Sequence, residues 1–237
     1  MQTDGVQIDV NTALSQVRRH PFIREAHRKT ASREQGIRWV YCAGRESRSF
    51  PWILRDLLAW TTEPKISEIL QENLDDELGN GDPTEAHFRH YQHLLSALGV
   101  ELESFDNYDE GSGIQHALSL AFNVAASGDG GRALGYMLVN EAMTPVTYEA
   151  ARSVLTSHFP GLNTNFFDLH IEVDEHHVEA LYQAVRALDD DAEDAVRFGI
   201  ELGQRGMEVL LDEAYGVLDP RPERVFITEP RWDPTTV

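Results

Sequence analysis

The chain has 237 residues, 41% of them hydrophobic, a formal charge of −20 and a pI near 4.7. That length supports one well-buried domain over residues 1–237, and the acidity speaks against nucleic acid or anionic membranes as partners. A single cysteine, Cys42, rules out an internal disulfide and suits a reducing cytoplasm; no apolar run reaches the roughly 18 residues that span a bilayer. The first residues, MQTDGVQIDV, lack the basic and apolar regions of a signal peptide.

Helical periodicity dominates. A first helix is predicted near 10–19, after Asp9 or Asn11 as cap, and a second over 32–46 from Ser32. Pro51 is expected to interrupt before WILRDLLAW, and a third helix runs from Pro64 to Gly79. In GDPTEAHFRHYQHLLSAL, Asp82 reads as an N-cap, Pro83 as N1 and Glu85 as its capping-box partner. Loops follow at 99–113 and 127–131. A helix then leads to Thr144-Pro145, where a new one starts; others cover 165–188 and 191–218. The one strand signal, RVFITE at 224–229, lies in a Pro-rich tail over 219–237. About eight helices with short connections predict an all-α bundle.

The informative acids are those on the apolar stripe of their own helix. In ISEILQENLDDELG the stripe is Ile66, Ile69, Leu70 and Leu74; Asn73 and Glu77 continue it, while Glu68, Glu72, Asp75 and Asp76 lie off it. Leu134, Met137 and Leu138 lead in the same way to Glu141, with Tyr148 and Arg152 further along if the direction survives Pro145. A buried carboxylate costs several kcal/mol unless a metal, a partner or a proton answers it.

The stretch DLHIEVDEHHVEA holds three histidines and five acids in thirteen positions. Phe166, Val173, Val178, Leu181 and Val185 mark its buried face. His170, Asp174 and His177, spaced i, i+4, i+7, fall within that face, whereas Glu172, Glu175, His176 and Glu179 do not. His87 lines up with Tyr91, Leu94, Leu95 and Leu98, and His90 competes for its role. Three imidazoles and three carboxylates facing inward from four helices suit a pair of iron ions, and are too many ligands for one zinc. No histidine follows a glutamate by three positions, so the ferritin-like ligand pattern is missing, as are HExxH, a phosphate loop and a GxSxG elbow.

The segments ENLDDELGNGDPTEAHFRHYQHLLSALG (72–99), LVNEAMTP (138–145) and HIEVDEHH (170–177) resemble the haem-oxygenase-like di-iron oxidases and oxygenases. The resemblance implies a haem-oxygenase-like bundle of seven or eight helices, often dimeric. It carries Glu77, His87, Glu141, His170, Asp174 and His177 over as six ligands to two irons, with O2 as co-substrate. Some members add a carboxylate from an early helix; Glu46 fits that place, but its direction near Pro51 keeps it outside the primary set. The implied activity is C–H oxidation, such as desaturation, of a small aliphatic amino acid in natural-product biosynthesis. N-oxygenation of an amine and oxidative C–C cleavage are the alternatives. Arg152 is the candidate for a substrate carboxylate, with Tyr148 and Tyr91 beside it. Outside metal chemistry stand a thiaminase-like hydrolase, for which Cys42 would be the nucleophile, and a non-catalytic helical protein.

Overall fold

A computed structural model describes residues 4–216, with side chains at all of them except 102 and 169–176. Among the described residues there are ten α-helices and no strand: α1 (Asp4–Val17), α2 (Pro21–Arg28), α3 (Arg33–Trp60), α4 (Pro64–Glu77), α5 (His87–Ala97), α6 (Leu102–Asp106), α7 (Ser112–Ala126), α8 (Gly130–His158), α9 (Asn165–Ala187) and α10 (Glu193–Tyr215), with a 3₁₀ turn at Asp190–Ala192 before α10. The all-α expectation holds, with more helices than the eight predicted. The strand signal at 224–229 and the tail over 219–237 lie outside the described residues. None of the described helices is long and apolar enough to cross a membrane.

The axis of the bundle is the pair α8 and α10, which α3, α7 and α9 surround. Two glycines bring their backbones together. A Cβ on Gly135 would lie 1.9 Å from Val196 O, and one on Gly199 would lie 2.1 Å from Arg132 O. A second tie crosses from α10 to α7. Glu213, 2% exposed, accepts hydrogen bonds from Gly111 N and Ile114 N, each at 2.8 Å, and from Tyr108 Oη at 3.2 Å. It therefore caps the N-terminus of α7 from another helix, where a carboxylate also meets the positive end of the dipole.

Three expectations about helix ends need correction. α3 and α8 run unbroken through Pro51 and Pro145. An interior proline costs about 3 kcal/mol, yet Ile53, Leu54 and Leu57 beyond Pro51, and Ala150, Ala151, Val154 and Leu155 beyond Pro145, are buried. At roughly 1.5–3 kcal/mol per large apolar side chain, that burial outweighs the defect. Ser32 does cap α3, with Gln35 completing the capping box. Asp82, by contrast, starts no helix. Its carboxylate accepts from Thr84 N and Thr84 Oγ1 at 2.9 and 2.7 Å, a local turn that competes with helix capping, and α5 begins only at His87. The helix α2, with Pro21 at its first position, has no counterpart in the sequence reading.

Gly199→Ala is expected to destabilise the fold by about 3 kcal/mol, because backbone atoms cannot move aside as a side-chain tip can. Urea unfolding followed by circular dichroism checks it; a midpoint equal to wild type would refute the close α8–α10 contact.

Candidate metal centre

Six helices enclose a cavity of about 370 Å³. Its acids and imidazoles are Glu46 of α3, Asp76 and Glu77 at the end of α4, His87 at the start of α5, Glu141 of α8 and His177 of α9. Met207 and Leu210 of α10 close one side, and Trp39, Phe50, Tyr91 and Tyr148 supply aromatic wall. No lysine or arginine is among the described residues that line it.

The donors meet in pairs. His87 Nδ1 is 2.9 Å from Glu77 Oε1, and Ser47 Oγ donates to Glu77 Oε2 at 3.4 Å. His177 stands between two carboxylates, with Nε2 3.5 Å from Asp76 Oδ2 and Nδ1 3.7 Å from Glu141 Oε2. Among the described residues no three such groups converge closely enough to hold an ion. Two of the expected ligands, His170 and Asp174, lie outside the described side chains, although α9 is helical through both positions.

Electrostatics marks the same place. Burial, with the charges of Glu77 and Glu141, pushes the Glu46 carboxyl from its ordinary value near 4.5 up to about 7. Glu46 keeps some accessible surface only as a cavity wall residue. Burial works to lower the His87 pKa, but the charge and hydrogen bond of Glu77, helped by Asp76 and Glu141, hold it above the usual imidazole range.

Of the sequence-predicted residues, Glu77, His87, Glu141 and His177 line one cavity, as do Tyr91 and Tyr148, whose hydroxyls are hydrogen-bonded to each other. Arg152 does not line it. Its guanidinium is ion-paired with Asp168, one of the outward acids of α9. The competitor His90 is turned to Glu85 O at 3.1 Å and stacks on Phe166. Cys42 is fully buried away from the cavity, and burial and the charge of Glu213 push its thiol well up, which does not suit a nucleophile.

Two lining acids were outside the predicted set. The break expected at Pro51 leaves the direction of Glu46 open in the sequence; because α3 is continuous, Glu46 faces the cavity. Asp76 sits off the stripe of α4, but in the last turn of that helix, where α9 packs alongside, the neighbour of Glu77 also reaches the cavity. Only the run of adjacent acids Asp75-Asp76-Glu77 hinted at it.

Residues 48–205 match a family described as iron-containing redox enzyme. No curated protein matches the chain by sequence. The fold is similar to that of a CADD-like protein of unknown function from Nostoc punctiforme (16% identity, TM-score 0.74, covering 91% of this chain and 97% of that one). It is also similar to a domain of unknown function with a heme oxygenase-like fold from Shewanella denitrificans (14%, 0.77, 91% and 92%). A TenA homologue from P. horikoshii shares it as well (15%, 0.72, 90% and 97%). At these identities the likeness is one of fold.

The raised Glu46 and His87 pKa values have one sign. A group whose folded pKa is above its unfolded value stabilises fully below the unfolded pKa, and that stability is lost as pH rises through the folded pKa. For Glu46 the loss falls between about 4.5 and about 7; for His87 it follows above the ordinary imidazole range. Metal-free Glu46→Gln is therefore expected to melt with wild type at pH 4, below that window, and several degrees above it at pH 8. Equal melting temperatures at pH 8 would show that Glu46 is not held in an anionic cavity.

Proposed function

The chain belongs to the iron-containing redox enzyme family, matched over residues 48–205, and on that premise we propose that its cavity holds a non-haem pair of iron ions and oxidises a small organic substrate with O2. One observation carries the proposal: four carboxylates and two imidazoles line a single cavity with no lysine or arginine among the described lining residues. Such a donor set is hard, anionic and nitrogen-bearing, which suits Fe(II). Haem is disfavoured, since no basic side chain among those lining the cavity would answer its propionates.

In this reading Glu77, His87, Glu141 and His177 hold the metals together with His170 and Asp174, and Glu46 serves as an additional carboxylate. Bound iron supplies the oxygen chemistry; the chain supplies position, shape and a dry site. Glu46 and His87 would have to give up the protons they retain in the metal-free cavity before holding a metal, so affinity would rise with pH. The aromatic wall of Trp39, Phe50, Tyr91 and Tyr148 packs against the substrate and limits water near the metals. Trp39 meets Tyr148 edge to face at 5.2 Å, which fixes the ring positions.

The family resemblance leads to an aliphatic amino acid as the substrate and oxidation at a C–H bond as the reaction, with N-oxygenation of an amine as the alternative; the anionic lining is compatible with the amine of such a molecule. Arg152 does not serve as a carboxylate anchor, because Asp168 engages it. The hydrolase alternative has no support from the site, since Cys42 is buried outside it.

Anaerobic Fe(II) titration is expected to load about two ions per chain. His87→Ala and Glu141→Ala should weaken loading by at least 10-fold, and His170→Ala or Asp174→Ala should do the same. Mixing the loaded protein with O2 should give a transient visible absorption that amines or amino acids alter. No uptake by the folded wild-type chain would overturn the reading.

A further inference from the structure

The two oxygens of Asp76 face different partners, one on its own chain turn and one on α9. Asn80 Nδ2 donates to Asp76 Oδ1 at 2.7 Å, and Asp76 Oδ2 faces His177 Nε2 at 3.5 Å. The other ring nitrogen of His177, Nδ1, faces Glu141 Oε2 at 3.7 Å. A chain of groups thus runs from Asn80 through Asp76 and His177 to Glu141, and all four line the cavity.

The backbone is shaped to deliver the first of them. Asn80 has φ +53°, between Gly79 at +85° and Gly81 at +91°. Left-handed backbone at a non-glycine residue is unfavourable and persists where surroundings fix it; asparagine tolerates it best. Here the turn that ends α4 bends back so that the Asn80 amide reaches the acid four residues earlier. Adjacent residues on a helix project about 100° apart, so Asp76 and Glu77 do not meet one ion from the same side. Glu77 is turned to His87, and Asp76 to His177.

Resting on the iron reading above, we propose that Asp76 is a positioning residue and not a ligand. Held by Asn80, it accepts the Nε2 proton of His177 and so fixes that ring with Nδ1 as the coordinating nitrogen on the Glu141 side. An imidazole bound to metal through one nitrogen commonly gives its other N–H to a carboxylate, which sets the tautomer and raises its basicity. The Nε2–Oδ2 separation of 3.5 Å lies at the outer limit of a hydrogen bond.

Two variants of the full chain, titrated with Co(II) as a visible-absorbing probe and with Fe(II), test this. Asp76→Asn keeps the shape and an acceptor oxygen but removes the charge. Asn80→Gly keeps the left-handed turn but removes the amide that holds Asp76, and Asn80 is exposed, so the fold tolerates it. Expected for Asp76→Asn is the wild-type stoichiometry, one ion bound 10–100-fold more weakly, and shifted Co(II) bands. Asn80→Gly should change affinity in the same direction by a smaller factor, and the double variant should be no weaker than Asp76→Asn alone. Loss of one Co(II) per chain in Asp76→Asn would make Asp76 a ligand and overturn the proposal. Unchanged affinity in Asn80→Gly would overturn it too, by breaking the chain at its first link. Failure of the iron reading itself appears separately, as no Co(II) or Fe(II) uptake by wild type.

Discussion

Carboxylates repel one another strongly in a medium that water does not fill, and four of them converge on one cavity of this bundle. Everything around the cavity bears on how that repulsion is held. The acids come from α3, α4 and α8, three helices whose apolar faces are buried elsewhere along their length, so each acid is carried inward by packing that has nothing to do with charge. The two imidazoles answer part of the charge: His87 meets Glu77, and His177 stands between Asp76 and Glu141. Part of what remains is relieved at Glu46, whose carboxyl is pushed up to about 7 by burial and by the charges of Glu77 and Glu141.

The rigidity needed to hold like charges together comes from elsewhere in the bundle. Gly135 and Gly199 let α8 and α10 touch backbone to backbone, so α8 has little freedom to retreat and carry Glu141 with it. Glu213 performs a different task from the cavity acids. Its charge is fully answered by two backbone N–H groups and a phenol, and it locks α7 to α10. With Cys42 and Tyr108 beside it, this cluster has the residue types of a nucleophilic site, but it is closed and hydrogen-bonded throughout. Fold relatives as different as a TenA homologue share the bundle, and such a scaffold hosts chemistry wherever its inward polar residues are left open.

Much of this was legible in the sequence because a helix converts spacing into direction. Glu77 and Glu141 each continue an apolar stripe, and such an acid has nowhere to point but inward. The same rule failed at helix ends and at prolines. Asp76 lies off the stripe of α4, yet reaches the cavity from the final turn, where a neighbouring helix changes what counts as inside. Glu46 was discounted for a break that tertiary packing overrides. Asp82 reads as a cap because local sequence cannot tell a capping carboxylate from one that closes its own turn on Thr84. Register alone makes Arg152 a substrate anchor, and the acid that claims it, Asp168, stands sixteen residues away on the next helix. Family resemblance supplied what periodicity lacked, namely which inward residues belong to one set.

The two interior prolines have a mechanical meaning. A proline offers no N–H to the carbonyl four residues before it. For Pro145 that residue is Glu141, and for Pro51 it is Ser47, whose hydroxyl donates to Glu77. Both sit on the cavity wall. Each long helix is therefore missing one rung of its ladder at the turn that presents a polar group inward, while the turns on either side stay fully bonded and packed. The wall is stiff as a whole and pliant at two points. Of the cavity carboxylates it is Glu141 that hangs from such a point, on the same helix that the glycine contact holds against α10.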